Sequence, residues 1–382
     1  MHKNRLQQYF PILPARLELE ATIRANPYLN ATFESWTPEQ QQEFLDFCTG
    51  ERGLKILYDV FFREVFNPEY APERLEELLS LIMRQTVKII KVIPNDSTRI
   101  AGEASLLITD IVVELADHSV ANIEIQKIGY MFPGQRSACY SADLLLRQYK
   151  RVRSAKKKSF SYKHIQKAYT IIFFERCTEE FHSFPQEYLH HFTQQSDTGL
   201  ELNLLQEYFF IPLDIFRKNI QNKGIKTKLD AWLTFLTSDD PERILELLQA
   251  FPEFKALYED IYELCRNIEE VMHMFSKELQ ELDRNTVQYM IDVMQDEIDA
   301  SRKQLFELDE QLNEKNQQLN KKNQQLDEKN QQLDEINQLL KYQEAVNHLY
   351  VLLSQGGRVE ELSRAVTDEL QRNQLLKEYQ LI

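Results

Sequence analysis

Three polar residues interrupt two apolar, β-branched stretches of the sequence. Asp110 lies in LLITDIVVEL (106–115), while Glu124 and Gln126 lie in VANIEIQKI (120–128). Strand side chains alternate between faces, so Glu124 and Gln126 are predicted to share one face. A buried carboxylate is costly unless it is paired or binds a metal. Two carboxylates and an amide suit Mg²⁺ or Mn²⁺, and such an ion could activate water for phosphodiester hydrolysis.

An aspartate followed on the next strand by Glu-x-polar is common by chance. The alternative is that Asp110 and Glu124 have no metal-binding role and pair with nearby cations or lie at strand ends.

Short strands are predicted to position this group. The two stretches are joined by four turn-prone residues (116–119), which predicts an antiparallel hairpin that brings the three polar side chains together. VKIIKVI (87–93) and AYTIIFF (168–174) are further strand candidates. YFFIPLDIF (208–216) is another, although Pro212 is expected to confine it to an edge or a bend.

A basic segment follows the hairpin. Residues 144–174 contain nine lysines and arginines and no acid, in a chain whose formal charge is -15. Phosphate neutralisation supplies most sequence-independent affinity for nucleic acid, so this segment is predicted to contact the DNA backbone. The alternative is a solvated basic surface that binds an acidic part of the protein. The cations predicted to contact DNA are Arg147, Lys150, Arg151, Arg153, Lys156, Lys157 and Lys158.

Other kinds of site find little support. The four cysteines are widely spaced, which indicates neither a disulfide framework nor a structural zinc site. His182, His190 and His191 have no carboxylate at metal-ligand spacing and are interpreted as surface histidines. No glycine-rich nucleotide loop is present, so no small-molecule cofactor is predicted. Without a signal peptide or a long apolar span, the chain is predicted to be cytoplasmic and not membrane-bound.

A seven-residue repeat marks the C-terminal part of the chain. Leucine recurs at every seventh position from Leu305 to Leu340, and asparagine from Asn316 to Asn337. With leucine at d and asparagine at a, the pattern predicts a coiled coil over 300–345 that forms a homodimer. A solvated single helix or a disordered polar tract is the alternative.

The remaining stretches are predicted to be mostly helical. Nine glycines in 382 residues is a low count, which favours long regular elements. Thr37-Pro38 has the composition of a helix start. The predicted organisation is an N-terminal helical extension, a core, a helical domain, the coiled coil and a helical tail, at 1–50, 51–220, 221–299, 300–345 and 346–382.

Several blocks of the sequence resemble the PD-(D/E)XK nuclease family transposases, relatives of the recombination-promoting nucleases of bacteria. The resemblance extends over about 30–297 and is most specific in NIEIQKIGYMFPGQRSACYSADLLLRQYKRVR (122–153). It implies an α/β, restriction-endonuclease-like core with a central mixed sheet flanked by helices, followed here by a helical region and the coiled coil. It also implies cleavage of DNA that depends on a divalent metal.

The family motif can be placed on this sequence. Asp110 matches the motif aspartate and Glu124 the following acid, which would make them the metal ligands. Gln126 stands where the general motif has lysine, although this family commonly carries glutamine there. Lys127 is adjacent but should point to the opposite face of its strand, which makes it a poor substitute.

Further site residues are implied by the same resemblance. Nucleases of this fold often add a glutamate from the first core helix, for which Glu77 and Glu64 are the candidates, with Glu77 placed in the catalytic set. Gln135, Arg136 and Tyr140 lie in a family block and are expected to support the site or the phosphate. Arg136 and Tyr140 are included among the predicted DNA contacts.

Two hypotheses from different classes follow. The first is a Mg²⁺- or Mn²⁺-dependent DNA endonuclease that acts in transposition, recombination or defence against foreign DNA. The second is a catalytically inactive DNA-binding or scaffolding protein that oligomerises through its coiled coil. Cleavage of RNA by the same metal site is a third possibility.

Overall fold

The computed structural model describes residues 3–93, 111–127 and 133–382 of the chain. The chain divides into two compact units, Met1–Met294 and Gln295–Ile382. Asp110, the first acid of the predicted motif, lies outside the described residues.

One mixed sheet organises the first unit, and this confirms the predicted α/β class. In the described part of the chain its six strands run in the order β1-β2-β3-β4-β6-β5. β2 and β3 pair antiparallel, which confirms the predicted hairpin, whereas β3, β4 and β6 are parallel neighbours. The strands are β1 (Ile89–Val92), β2 (Ile111–Leu115), β3 (Val120–Gln126), β4 (Ala168–Phe174), β5 (His190–Phe192) and β6 (Gln206–Pro212).

Both faces of the central strands are covered by the rest of the protein. β3 and β4 are buried along their whole length. Of the two positions expected for Pro212, an edge strand or a bend, the edge strand was wrong, since β6 lies between β4 and β5. Proline is tolerated there because it is the last strand residue, directly before the helix that starts at Leu213.

Helices surround this sheet, and their starts follow the capping chemistry of the sequence. Thr37 accepts a hydrogen bond from the Gln40 backbone N–H, which confirms the predicted helix start. None of the described helices is long and apolar enough to cross a membrane. The helices that begin in the first unit are α1 (Arg5–Tyr9), α2 (Arg16–Ala25), α3 (Pro27–Glu34), α4 (Pro38–Thr49), α5 (Asp59–Val65), α6 (Pro72–Met83), α7 (Pro133–Lys156), α8 (Glu179–His182), α9 (Leu213–Lys223), α10 (Lys228–Thr237), α11 (Pro241–Ala250), α12 (Phe254–Leu264) and α13 (Ile268–Gln355).

The sheet has two different faces. Helix α7 covers the one that carries Glu124 and Gln126, where Leu144 packs with Val120 in a small apolar cluster. We call this the α7 face. The opposite face carries Ile123 and belongs to the main hydrophobic cluster, together with side chains of α5, α6 and α10. We call it the core face.

The main cluster also includes both ends of the first unit. Phe10 of α1 packs on Tyr262 of α12 with ring centroids 4.9 Å apart. Trp36 meets Phe275 of α13 edge to face at 5.1 Å. The N-terminal helices and the helices after residue 220 therefore share one hydrophobic core with the sheet.

The second unit contains the remainder of α13 and two short helices. The tail was predicted as one helix, but it forms α14 (Val359–Thr367) and α15 (Glu369–Glu378). Gly357 adopts a positive φ of 70° after the end of α13, a conformation that glycine tolerates at low cost. A small cluster centred on Leu349, Leu353 and Leu376 holds α14 and α15 against the end of α13.

Candidate active site

Glu124 and Gln126 lie side by side at the end of β3. Their side chains are only 6% and 2% exposed, and the Gln126 Nε2 donates a hydrogen bond of 3.2 Å to the Glu124 Oε1. The prediction that strand alternation places both on one face is confirmed. The result is a carboxylate and an amide buried together beneath α7.

Tyr140 connects α7 to this pair. Its hydroxyl is buried and hydrogen-bonds to Glu124, while the Arg136 Nη2 donates to the Tyr140 hydroxyl at 3.4 Å. Burial raises the pKa of Tyr140, and the negative charge of Glu124 raises it further, against the opposing effect of Arg136. Tyr140 therefore remains a neutral hydrogen-bond donor that holds the Glu124 carboxylate in place.

This position corrects one expectation. Tyr140 was predicted among the DNA contacts, but at 4% exposure it is part of the interior. Arg136 is half-buried and lies one helical turn earlier, close to the same carboxylate through Tyr140. The family block that suggested both residues is thus associated with the site itself.

The donor set fits a hard divalent cation. Within the described residues, the buried Gln126 Oε1 accepts no hydrogen bond. A buried acceptor without a donor costs about 1–3 kcal/mol, and a bound cation would offset this cost. Carboxylate and amide oxygens are ligands that Mg²⁺ and Mn²⁺ prefer. Glu124 and Gln126 therefore have the chemistry of an oxygen-ligand metal site.

The hairpin register bears on the third predicted ligand. Asp110 itself lies outside the described residues, so its part in the site stays a prediction. The residue that follows it, Ile111, pairs with Ile123, the residue that precedes Glu124.

Glu77 lies elsewhere. It projects from α6 on the core-face side, where its carboxylate accepts a hydrogen bond of 2.9 Å from the Trp232 indole and lies 3.5 Å from the Lys228 Nζ. The buried side chains of α6 belong to the main cluster. The structure therefore places Glu77 and Glu124 on opposite sides of the sheet. Glu64 of α5, the other candidate, is exposed.

Lys127 points to the core face, as strand alternation predicts. Its Nζ forms ion pairs with Asp59 of α5, at 3.2 Å, and with Glu278 of α13. It also lies 5.3 Å from the centre of the Tyr58 ring. Sequence reasoning did not identify Asp59 or Glu278 as its partners, since no spacing rule relates residues so far apart in the chain. We call these three residues the Lys127 cluster.

Burial perturbs the acidic partner of this lysine. Glu278 is fully buried, and desolvation raises its pKa to about 6, although the attraction of Lys127 opposes the shift. The nearby charge of Asp59 raises it further, and the Val60 backbone N–H donates to the carboxylate at 3.3 Å.

The basic segment lies at the other end of the sheet. Helix α7 runs antiparallel to β3, since Tyr140 meets Glu124 near the strand end while Leu144 packs on Val120 at the strand start. Further along α7, Arg151 pairs with Glu114 at 3.2 Å. The basic segment of α7 therefore lies near the start of β3, at the end of that strand away from Glu124.

Exposure divides the predicted DNA contacts into two groups. Arg147 and Arg151 are half-buried and paired with acids, Arg147 with Asp143 and Arg151 with Glu114. We call the exposed group, which also contains a lysine beyond the predicted set, the basic patch. It consists of Lys150, Arg153, Lys156, Lys157, Lys158 and Lys163.

A mixed sheet that presents a buried glutamate and glutamine at the end of a hairpin strand is the arrangement expected of a restriction-endonuclease-like nuclease. A family model described as PD-(D/E)XK nuclease family transposase matches residues 56–293, well over half of the chain. The chain belongs to this family, and the resemblance noted in its sequence is confirmed. Neither the search of curated proteins nor that of solved structures gave a match.

Proposed function

We propose that this nuclease-type enzyme is a divalent-metal-dependent DNA endonuclease that hydrolyses phosphodiester bonds. The observation that carries the proposal is the buried Glu124–Gln126 pair, with Tyr140 bonded to the carboxylate. Asp110 and Glu124 would hold Mg²⁺ or Mn²⁺, with the Gln126 amide oxygen as a further ligand. The ion, when bound, would lower the pKa of a water molecule and shield charge on the phosphate.

The protein's own groups would orient and enclose this chemistry. Tyr140 fixes one side of the Glu124 carboxylate, and the Gln126 amide donates to its Oε1. Both contacts come from rigid elements, a strand and a helix, which favours a fixed ligand geometry. Burial beneath α7 lowers the local dielectric and strengthens each of these interactions.

Cleavage of a supercoiled plasmid tests the proposal. We expect nicking or linearisation with Mg²⁺ or Mn²⁺ that stops with EDTA and is lost in Asp110→Ala. Glu77→Gln is the matched control, because the same kind of residue on the core-face side should be dispensable. Equal loss in Glu77→Gln would contradict the site assignment, and an RNA substrate assayed in parallel distinguishes the two nucleic acids.

A second candidate function is an inactive DNA-binding scaffold. It is favoured by the position of Lys127, whose ammonium group is turned to the core face and bonded to acids there. The motif position itself holds Gln126, which carries no positive charge. Absence of cleavage with either metal, together with retained DNA binding, would support this function instead.

We further propose that the basic patch contacts the DNA backbone. Its charges are exposed, and Tyr149, Phe160 and Tyr162 pack together beside it with ring centroids 5.4–6.2 Å apart. Ten residues of α7 separate Tyr140 from Lys150, which is about 15 Å of helix. Since successive base pairs rise about 3.4 Å, the patch would bind roughly four or five base pairs from the cut.

The second unit is proposed to join two copies of the chain. The heptad leucines are 55–65% exposed, an unfavourable state for a row of apolar side chains that a coiled-coil partner would cover. Sedimentation of the full chain should give a dimer that Leu319→Asp/Leu326→Asp dissociates. Gln318→Asp and Gln325→Asp, placed off the leucine seam, provide the matched control. A chain that ends near Asp299 should also be monomeric.

The biological setting remains part of the proposal. Membership of a transposase family supports a role in transposition, recombination or defence against foreign DNA. The cytoplasmic location is a prediction from the sequence.

A further inference from the structure

A second group of side chains of the types that bind metals, Cys177, His182 and Asp214, lies in the segments that follow β4 and β6. The Cys177 Sγ lies 3.6 Å from the His182 Nε2 and 3.5 Å from the Asp214 Oδ2. The His182 Nε2 lies 3.4 Å from the same carboxylate oxygen. We call these residues the Cys–His–Asp cluster.

The sheet topology brings this cluster together. β4 and β6 are parallel neighbours with Phe174 opposite Pro212, so the chain leaves both strands at the same edge. Cys177 follows β4 by three residues, and Asp214 lies in the first turn of α9. The Asp214 Oδ1 also accepts a hydrogen bond from the Cys177 backbone N–H at 3.4 Å.

Aromatic packing fixes the histidine. Phe181, the residue before His182, packs on the sheet with its ring centroid 5.2 Å from that of Phe174 and 6.0 Å from that of Phe210. It belongs to a buried cluster on the α7 face, and Cys177 packs against the same cluster. This buried apolar cluster therefore helps to hold the side chains of the Cys–His–Asp cluster in place.

The separations suit a tetrahedral metal ion. Zinc ligands lie about 2.0–2.3 Å from the ion, which places two ligands of a tetrahedron roughly 3.3–3.7 Å apart. The three distances in the cluster fall in this interval. A thiolate, an imidazole and a carboxylate together select a borderline ion such as Zn²⁺ over Mg²⁺.

A nucleophilic cysteine is the competing interpretation. Burial raises the pKa of the Cys177 thiol to about 12, and the hydrogen bond to Asp214 and its charge add to the effect. The thiol is therefore protonated at neutral pH, and a protonated thiol is a poor nucleophile. The thiol donates a hydrogen bond of 3.5 Å to the Asp214 Oδ2.

We propose that Cys177, His182 and Asp214 form a zinc-binding site, distinct from the Glu124 site and adjoining it. On binding, the ion takes the place of the thiol proton, which is released to solvent, and the sulfur binds as thiolate. Three protein ligands leave a fourth position for a water molecule. The two sites are connected, since the Glu175 backbone N–H donates to the Gln126 carbonyl at 2.8 Å.

His182 is exposed, as the sequence analysis expected of a surface histidine, and the proposal adds a ligand role that the sequence spacing did not indicate. The missing carboxylate is supplied by Asp214, which lies far along the chain and comes close only through the parallel pairing of β4 and β6. The same pairing explains why the spacing of the cysteines gave no indication of zinc.

Cobalt spectroscopy of the full chain tests the site. After treatment with a chelator and its removal, one equivalent of Co²⁺ should give a sulfur-to-cobalt charge-transfer band that Zn²⁺ abolishes. Cys177→Ser should remove the band, whereas Cys139→Ser, which replaces an exposed thiol on α7, should retain it. No band in the unmodified chain, or a band that persists in Cys177→Ser, would overturn the proposal.

Two further measurements keep the test independent of folding and of nuclease activity. His182→Gln and Asp214→Asn retain the thiol but should each weaken zinc binding at least tenfold in equilibrium dialysis, since even residues behind the ligands contribute about 10–100-fold. Unchanged affinity in both variants would contradict the assignment. Glu124→Gln should bind zinc normally, so the site can be confirmed or refuted whether or not the chain cleaves DNA.

Discussion

The end of β3 and the residue that follows it, Lys127, bury polar groups on both faces of the sheet, but the surroundings of these groups differ. On the core face, the Lys127 ammonium is paired with Asp59 and Glu278, so the charges of the Lys127 cluster are compensated within the protein. On the α7 face, Glu124 is held by Tyr140 and Gln126. Within the described residues the Gln126 Oε1 beside it accepts no hydrogen bond, so we infer that the core face serves stability and the α7 face a bound cation.

The sharpest test of this difference is Glu124→Gln. We expect DNA cleavage to fall by about 10³-fold or more, because several kcal/mol of metal-dependent stabilisation is lost and each 1.36 kcal/mol is a factor of ten. The midpoint of thermal unfolding should stay the same or rise, as is common when a polar active-site group is neutralised. Plasmid cleavage and calorimetry measure the two effects. A large drop in the unfolding temperature would assign Glu124 a structural role.

The complementary change is Lys127→Met. It leaves Asp59 and Glu278 buried without their cation, and breaking such a pair costs about 3–5 kcal/mol. Urea denaturation should show this as a lower free energy of unfolding. Adding Glu278→Leu should recover part of the loss, because the unpaired carboxylate is then removed. A loss below about 1 kcal/mol in Lys127→Met would mean that the cluster contributes little to stability.

A smaller effect is expected from Tyr140→Phe, which deletes one hydrogen bond to Glu124. Groups that orient a metal ligand contribute about 10–100-fold to metal affinity or activity, so cleavage should fall by that factor. The Mg²⁺ concentration for half-maximal activity should rise, which a purely structural role would not explain. Tyr70→Phe, on an exposed ring outside the site and the basic patch, serves as the control. Equal activity of the two variants would contradict the proposed role of Tyr140 in positioning Glu124.

The pH dependence of stability gives the smallest of these effects. Glu278 has a pKa of about 6 in the folded protein, above the value near 4.5 of an exposed glutamate. The folded state therefore binds more protons between these values, and stability is lost as pH rises through about 6. The groups that face Glu278 are Lys127 and Asp59, with Glu281 on its own helix.

At 1.36 kcal/mol per pH unit, the loss of stability that comes from Glu278 amounts to about 2 kcal/mol, relative to a chain in which residue 278 does not titrate. Glu278→Gln provides that reference. Denaturant unfolding of both chains from about pH 4 to pH 7 should show a difference that falls with pH, and parallel curves would rule out the assignment.

Local rules predicted the elements that carry the α7 face. The alternation of side chains placed Glu124 with Gln126, and the turn at 116–119 predicted the β2–β3 hairpin. Both predictions were correct because the pairing of strands that are adjacent in the chain follows from short-range sequence patterns. The family resemblance added Tyr140, whose role in holding Glu124 the spacing alone did not indicate.

Long-range packing decided what the sequence could not predict. Lys127 meets Glu278 only because α13 returns to the sheet after more than a hundred residues. Cys177 meets Asp214 because β4 and β6 are parallel neighbours. The position of the basic patch relative to the site depends on long-range packing too, since nearness in the chain does not fix the direction in which α7 crosses the sheet.

The repeat in α13 has a consequence for how two rods would align. Its units are nearly identical, so a shift of one heptad, about 10.5 Å, restores all but the terminal leucine and asparagine contacts and leaves several registers of similar energy. Leu308 and Ile336 break this degeneracy. They occupy the same heptad position as the lysines between them, and both are exposed apolar side chains. They lie four heptads apart, one at each end of the repeated segment. Their packing in a dimer would favour one register among those that the repeat permits.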